Sequence, residues 1–176
     1  MKVHKEHKEL AEIEVRFGII TVSTSRYKRL QSEKIFDDAS GDLAEKIIKE
    51  EGFTVAYRSL IPDDFYRIRR ELYKAIESGC NAIIFIGGTG PSRGDVTIES
   101  IKPLLIKELE GFGELFRYLS YEEIGTAAIL SRAIAGVIEP GIIVFALPGS
   151  PNAVELALRK IITKEIKHLI YISSQF

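Results

Sequence analysis

The sequence predicts an α/β fold with a mostly parallel sheet and helices on both faces. Three observations carry that prediction. Short apolar runs alternate with amphipathic stretches from Val15 onward. The runs are five to eight residues long and uninterrupted by charge near the middle of the chain, as in strands buried on both faces. Glycines stand where helical periodicity stops, at Gly52 and Gly79.

Taken in order, residues 15–22 read as a first strand. Residues 40–51 read as a helix with Leu43, Ile47 and Ile48 on one face, followed by a strand over 53–60. A second helix is expected over 64–78 and a third strand over 81–86. Helical signals resume at Thr97, break near Pro103 and return from about Glu114. Residues 111–136 are compatible with a helix plus a small hairpin. Residues 141–147 form another apolar strand, and Ser150-Pro151 opens a last helical region running towards Leu169. This β-α-β-α-β order is what a parallel sheet with crossover helices requires.

Composition bounds the function. The chain has 176 residues, 45% hydrophobic and 28% charged, with a mean hydropathy of +0.06. That length suits one domain, and folding at this size removes roughly 70% of the unfolded surface from water. Residues 1–14 read as a mobile charged N-terminal arm, with His4 and His7 as exposed histidines, and residues 15–176 as a single α/β domain. A formal net charge of −1 and a pI near 6.3 argue against a dedicated nucleic-acid binder. No apolar run approaches the roughly 20 residues of a membrane span, and the N-terminus lacks the apolar segment of a secretory leader. One cysteine cannot pair within the chain. The expectation is a cytoplasmic protein without membrane or nucleic-acid partners. Plentiful Ile, Lys and Glu beside scarce Gln, Asn and Met is a bias also seen in thermophiles.

Ligands of open parallel sheets bind beyond the carboxyl ends of the strands, and four such ends carry distinctive residues. They are the hydroxyl-rich Thr21-Val22-Ser23-Thr24-Ser25-Arg26, then Ile61-Pro62-Asp63-Asp64. The third is Gly87-Gly88-Thr89-Gly90 running on to Asp95, and the fourth is Leu147-Pro148-Gly149-Ser150. Glycines without side chains let backbone N–H groups approach an anion. Asp95 beside them would repel a bare phosphate, so a divalent cation is the natural mediator, with Asp63 as a second carboxylate. Each residue also has a structural reading. Ser40, Asp63, Asp95 and Ser150 suit helix N-caps, the favoured reading for Ser40 and Ser150, and the glycines suit tight turns. Neither a P-loop (no Lys follows the glycines) nor a G-x-G-x-x-G fingerprint is present. Cys80 reads as a small core residue, and His168 as structural or exposed.

The glycine segment, with Arg93-Gly94-Asp95-Val96-Thr97 after it, resembles the signature of the MoaB/Mog family of molybdenum cofactor biosynthesis proteins, which are molybdopterin adenylyltransferase-like. Four further segments agree in order and spacing. They are Asp38-Ala39-Ser40-Gly41; Gly111-Phe112-Gly113-Glu114 with Phe116-Arg117; Leu130-Ser131-Arg132-Ala133; and Leu147-Pro148-Gly149-Ser150-Pro151. The likeness spans about residues 16–169. Ile98 stands where many relatives have proline, a change expected to touch a helix start more than chemistry.

The resemblance implies a three-layer α/β/α sandwich that assembles as a homotrimer or homohexamer. It implies a molybdopterin-binding domain that transfers AMP from Mg-ATP to the terminal phosphate of molybdopterin, releasing pyrophosphate. It assigns Asp63 and Asp95 as the catalytic, Mg²⁺-linked carboxylates. Substrate contacts are expected from Ser23, Gly87, Gly88, Thr89, Gly90, Ser131, Pro148, Gly149 and Ser150. The serines equally suit caps or turns, and Arg93 a phosphate contact or a solvated loop. A non-catalytic molybdopterin-binding scaffold is the alternative, since some family members lose the first carboxylate; this chain keeps Asp63. A generic mononucleotide-binding domain is a third reading.

Overall fold

The computed structural model describes residues 12–34 and 36–175. Most of the charged arm, His4 and His7 included, lies outside them. The sheet has six strands in the order β2-β1-β3-β6-β5-β4. These are β1 (Arg16–Val22), β2 (Thr54–Ile61), β3 (Ala82–Ile86), β4 (Lys107–Glu108), β5 (Ile134–Glu139) and β6 (Ile142–Leu147). Strands β2, β1, β3 and β6 run parallel, while β5 is antiparallel to β6 and β4 to β5.

Alternation along the strands builds two cores. Phe17, Ile19, Ile84, Ile86, Phe145 and Leu147 face one side, and Ile20, Val22, Ile83, Phe85, Val144 and Ala146 face the other. On the first side pack the apolar stripes of α2 (Ala39–Glu50), α5 (Glu110–Ile124), α6 (Pro151–Ala157) and α7 (Thr163–Ser173). On the second pack α3 (Phe65–Glu77) and α4 (Thr97–Ile101). Helix–sheet–helix is the three-layer sandwich expected. Every residue of β3 is buried, as its unbroken apolar run requires.

The structure adds elements that periodicity did not show. Helix α1 (Thr24–Glu33) follows β1 where only a hydroxyl-rich loop was expected. It buries no residue, so its sequence carries no apolar face to detect. Helix α5 begins at Glu110 rather than near Glu114 and ends in a 3₁₀ segment, Gly125–Leu130. The small hairpin expected within 111–136 is not there: β5 starts only at Ile134, and its hairpin with β6 turns at Pro140-Gly141, where Gly141 takes φ +77. A short π-helical segment, Leu158–Ile162, joins α6 to α7.

Three caps differ from expectation. Asp38, not Ser40, caps α2: its side chain accepts the Gly41 N–H. Ser40 Oγ instead donates to the Gly149 carbonyl at 2.7 Å, tying α2 to the loop after β6. Asp64, not Asp63, caps α3, which leaves Asp63 for other partners. Asp95 caps nothing either; the residue preceding α4 is Val96 and makes no side-chain cap bond. Ser150 does cap α6, accepting the Ala153 N–H at 3.3 Å. Cys80 is buried in the core, where burial pushes its thiol pKa up. His168 is exposed on α7. Ile98 lies in the first turn of α4 and packs into the core beneath it.

Candidate functional site

The carboxyl ends of the parallel strands meet at a cleft of about 590 Å³. The loop after β1 contributes residues from Val22 to Arg26, the loop after β2 contributes Asp63, and the loop after β3 contributes Gly87, Gly88, Thr89, Gly90 and Asp95. Pro148 and Gly149 close the wall after β6, with Leu130 from the 3₁₀ segment opposite. Chain positions more than a hundred residues apart are thus brought together by sheet order.

The glycines are demanded by packing. At Gly87, with φ +99, a Cβ would stand 2.4 Å from the Val22 carbonyl oxygen. At Gly88, with φ +62, it would stand 2.4 Å from Thr97 Oγ1 and 2.6 Å from Asp63 Oδ1. No L side chain fits either place. Thr97 holds the turn by donating its Oγ hydroxyl to the Gly87 carbonyl (2.8 Å) and its N–H to the Gly88 carbonyl.

Asp63 is positioned by Thr24. The Thr24 backbone N–H (3.0 Å) and Oγ hydroxyl (2.7 Å) both donate to Asp63 Oδ2, and the Asp63 N–H donates back to Thr24 Oγ1. Oδ1 is left facing the glycine turn. Asp95 Oδ2 accepts the Ser92 hydroxyl, from its own loop, and lies where a Cβ on Gly90 would come within 2.9 Å. Asp63 and Asp95 therefore flank the same glycine segment, two residues apart along it.

The remaining expected residues divide. Ser23 lines the cleft and also caps α1, its Oγ accepting the Arg26 N–H at 3.5 Å. Ser131 and Ser150 are not on the cleft wall. Ser131 lies just beyond Leu130, its N–H donating to the Ala128 carbonyl, and Ser150 is engaged as the cap of α6. Sequence reading left six cleft-lining residues without a role: Val22, Thr24, Ser25, Arg26, Ile86 and Leu130. Thr24 and Arg26 sat unassigned in the hydroxyl-rich segment because α1 was invisible. Leu130 sat one place before the serine chosen.

Arg132 braces the glycine loop from outside. Its Nη1 donates to the Gly90 carbonyl at 3.0 Å, while Nη2 pairs with Glu99 on α4. Beyond it lies a second hollow of about 490 Å³, between α4, α5 and β5. That hollow has no glycine turn and no parallel strand end, so the first cleft is the candidate site.

Among the described residues no group of three or more His, Cys, Asp or Glu side chains is arranged to hold a metal alone. Two hard carboxylates beside the glycine turn suit Mg²⁺, which takes one or two protein carboxylates and completes its shell with phosphate oxygens and water.

A family model described as a probable molybdopterin binding domain matches residues 18–168, nearly the whole chain. The chain belongs to the molybdopterin-binding domain family. Within it, a protein named molybdopterin adenylyltransferase from Pyrococcus furiosus is 45% identical over 169 residues, covering 94% of this chain and 95% of that one. Molybdenum cofactor biosynthesis protein B from Staphylococcus aureus (strain Mu50) is 42% identical over 160 residues, covering 89% and 90%. The crystal structure of the tungsten cofactor synthesizing protein MoaB from Pyrococcus furiosus superposes with a TM-score of 0.82 at 41% identity, covering 92% of this chain and 98% of that one. The molybdopterin-binding domain described here thus shares its sheet and helices with relatives along almost their full length.

Proposed function

We propose that this chain transfers AMP from ATP to the terminal phosphate of molybdopterin, releasing pyrophosphate, as a step in molybdenum cofactor biosynthesis. The observation that carries the reading is the pair Asp63 and Asp95 on either side of one glycine turn, in a chain 45% identical to a named molybdopterin adenylyltransferase.

The chemistry suits such a cleft. A phosphate monoester is mostly dianionic at neutral pH, so its oxygen attacks without a strong general base. A bond forms from that oxygen to the α-phosphorus of ATP. The bond from the α-phosphorus to the bridging oxygen breaks, and its electron pair leaves with pyrophosphate. The protein's task is alignment and charge stabilisation. Asp63 and Asp95 would hold Mg²⁺, which when bound neutralises phosphate oxygens and the leaving group. Backbone N–H groups from Gly88 to Gly90 would donate to anionic oxygens, the Gly87 N–H being taken by the Leu147 carbonyl, and Thr24 keeps Asp63 Oδ1 turned to the site. Ser23, Thr89, Pro148 and Gly149 form the wall against which the substrates lie. Ser131 and Ser150 are removed from direct contact in this reading.

The same reading supplies an environment and an assembly. ATP dependence suits the cytoplasm. Leu115, Tyr118, Tyr121, Ile124, Ile129 and Leu130 leave an apolar strip exposed on α5 and its 3₁₀ extension, which supports a homotrimer or homohexamer.

Incubation of the pure protein with molybdopterin, ATP and Mg²⁺ tests the function. Adenylylated molybdopterin and pyrophosphate are expected, and Asp95→Asn is expected to lower turnover by at least roughly 100-fold with the fold intact. Tight molybdopterin binding without ATP consumption would replace the reading with a scaffold.

A further inference from the structure

The candidate cleft has an electrostatic problem. Its two carboxylates repel the phosphate groups that both substrates carry, and backbone N–H groups supply only partial charges. Among the described residues, Arg26 is the single cationic side chain lining it. Arg26 sits in the first turn of α1, directly after the strand that forms one side of the glycine turn.

Its surroundings leave it ready for an anion. Arg26 Nη1 lies 3.7 Å from Asp38 Oδ1, close enough to attract but too far to hydrogen-bond. The Asp38 carboxylate is fully buried and already taken: Oδ2 accepts from Thr21 Oγ1 (2.8 Å) and Arg58 (3.1 Å), and Oδ1 accepts the Gly41 N–H (3.1 Å). Asp38 therefore orients the Arg26 guanidinium without occupying its donors. Among the described residues that side chain makes no hydrogen bond, and it is 30% exposed. A guanidinium with unused donors, aimed by a buried carboxylate, matches the paired oxygens of a phosphoryl group.

We infer that Arg26 binds a phosphoryl group of the substrates in this cleft. The inference rests on the adenylyltransfer reading for the identity of the substrates, but not for the anion site itself. Two sources share the chemistry: the polyphosphate of ATP and the phosphate monoester of molybdopterin.

The test titrates the full chain with inorganic tripolyphosphate in the presence of Mg²⁺, by calorimetry. Wild type is expected to bind. Arg26→Ala is expected to weaken binding roughly 10- to 100-fold, the loss of one or two charge-assisted hydrogen bonds, and Arg26→Lys to recover only part. Arg29→Ala, one turn along α1 and paired with Glu33 and Asp37, is the control for net charge and is expected to stay within about twofold. In turnover, a raised KM for ATP in Arg26→Ala assigns the contact to the polyphosphate, and a raised KM for molybdopterin assigns it to the monoester. Unchanged KM for both, tripolyphosphate binding by Arg26→Ala equal to wild type, or an equal loss in Arg29→Ala would overturn the inference. Arg26-dependent tripolyphosphate binding in a protein that makes no adenylylated molybdopterin would sink the transferase reading and leave the anion site standing.

Discussion

Replacing Gly88 by alanine should damage stability and chemistry together, by amounts the structure separates. The residue has φ +62, and an added Cβ would sit 2.4 Å from Thr97 Oγ1, 2.6 Å from Asp63 Oδ1 and 3.1 Å from Val22 Cγ1. The left-handed backbone costs an L residue roughly 1–2 kcal/mol. Overpacking adds roughly 1–3 kcal/mol, because neither oxygen is free to swing away. Thr97 Oγ1 is committed to the Gly87 carbonyl, and the Asp63 carboxylate is pinned through its other oxygen by Thr24. The sum, about 2–5 kcal/mol, lowers Tm by roughly 4–20 °C for a chain of this length. Gly52→Ala is the reference. Gly52 has φ +82 with nothing within 4 Å of the Cβ position, so it isolates the backbone cost, about 1–2 kcal/mol. Relief of the contact at Gly88 pushes Asp63 away by on the order of 1 Å, which costs about 100-fold in turnover if Asp63 acts in the site. Gly52→Ala should leave turnover unchanged. Thermal melts and initial rates of the two variants decide the matter. Equal Tm and equal rates for both would refute the close packing of the glycine turn on Asp63.

Thr24→Val removes the hydroxyl that donates to Asp63 Oδ2 and accepts from the Asp63 N–H; urea melts should show a loss of about 1–2 kcal/mol, with turnover falling roughly tenfold as Asp63 loses its orientation. Arg132→Ala frees the Gly90 carbonyl and Glu99. It should weaken substrate binding several-fold, and Arg132→Lys should not restore it, because an ammonium cannot make both contacts in the same geometry.

Glu71 gives a pH prediction. Burial raises its pKa, but hydrogen bonds from Lys74, Tyr57 and Ser59 outweigh burial and hold the carboxyl below its ordinary 4.5. A depressed folded pKa stabilises above the unfolded value and loses that contribution as the carboxylate protonates. The Tm gap between wild type and Glu71→Gln should therefore be full above pH 4.5 and close as the pH falls below it. Burial, with the Glu71 carboxylate beside it, pushes the Tyr57 phenol up to about 12, so the Tm gap between wild type and Tyr57→Phe, which loses the hydroxyl donated to Glu71, should be full below pH 10 and close as the pH rises towards 12.

Strands and glycines were readable because each records a requirement local to the chain. The unbroken run of β3 needs both faces buried, and Gly52 and Gly79 need positive φ. The loops after β1, β2, β3 and β6 were legible as site segments because sheet topology places strand ends together whatever their side chains. Helix α1 was not legible, since it buries nothing and so carries no stripe. Ser40 illustrates a different limit. A serine near a helix start suits a cap, but its hydroxyl found the Gly149 carbonyl, 109 residues away, while Asp38 took the cap.

From the chain alone came the parallel sheet, the glycine turn, the two acidic positions beside it and the family likeness, all written in spacing and residue type. Only folding chose which oxygen of Asp63 faces the turn, freed Asp63 by giving the cap to Asp64, withdrew Ser131 and Ser150 from the cleft wall, and set Arg26 in that wall beside the buried Asp38. Those outcomes depend on pairings across tens of residues, where competing donors and acceptors are settled by packing distance rather than by neighbours in sequence.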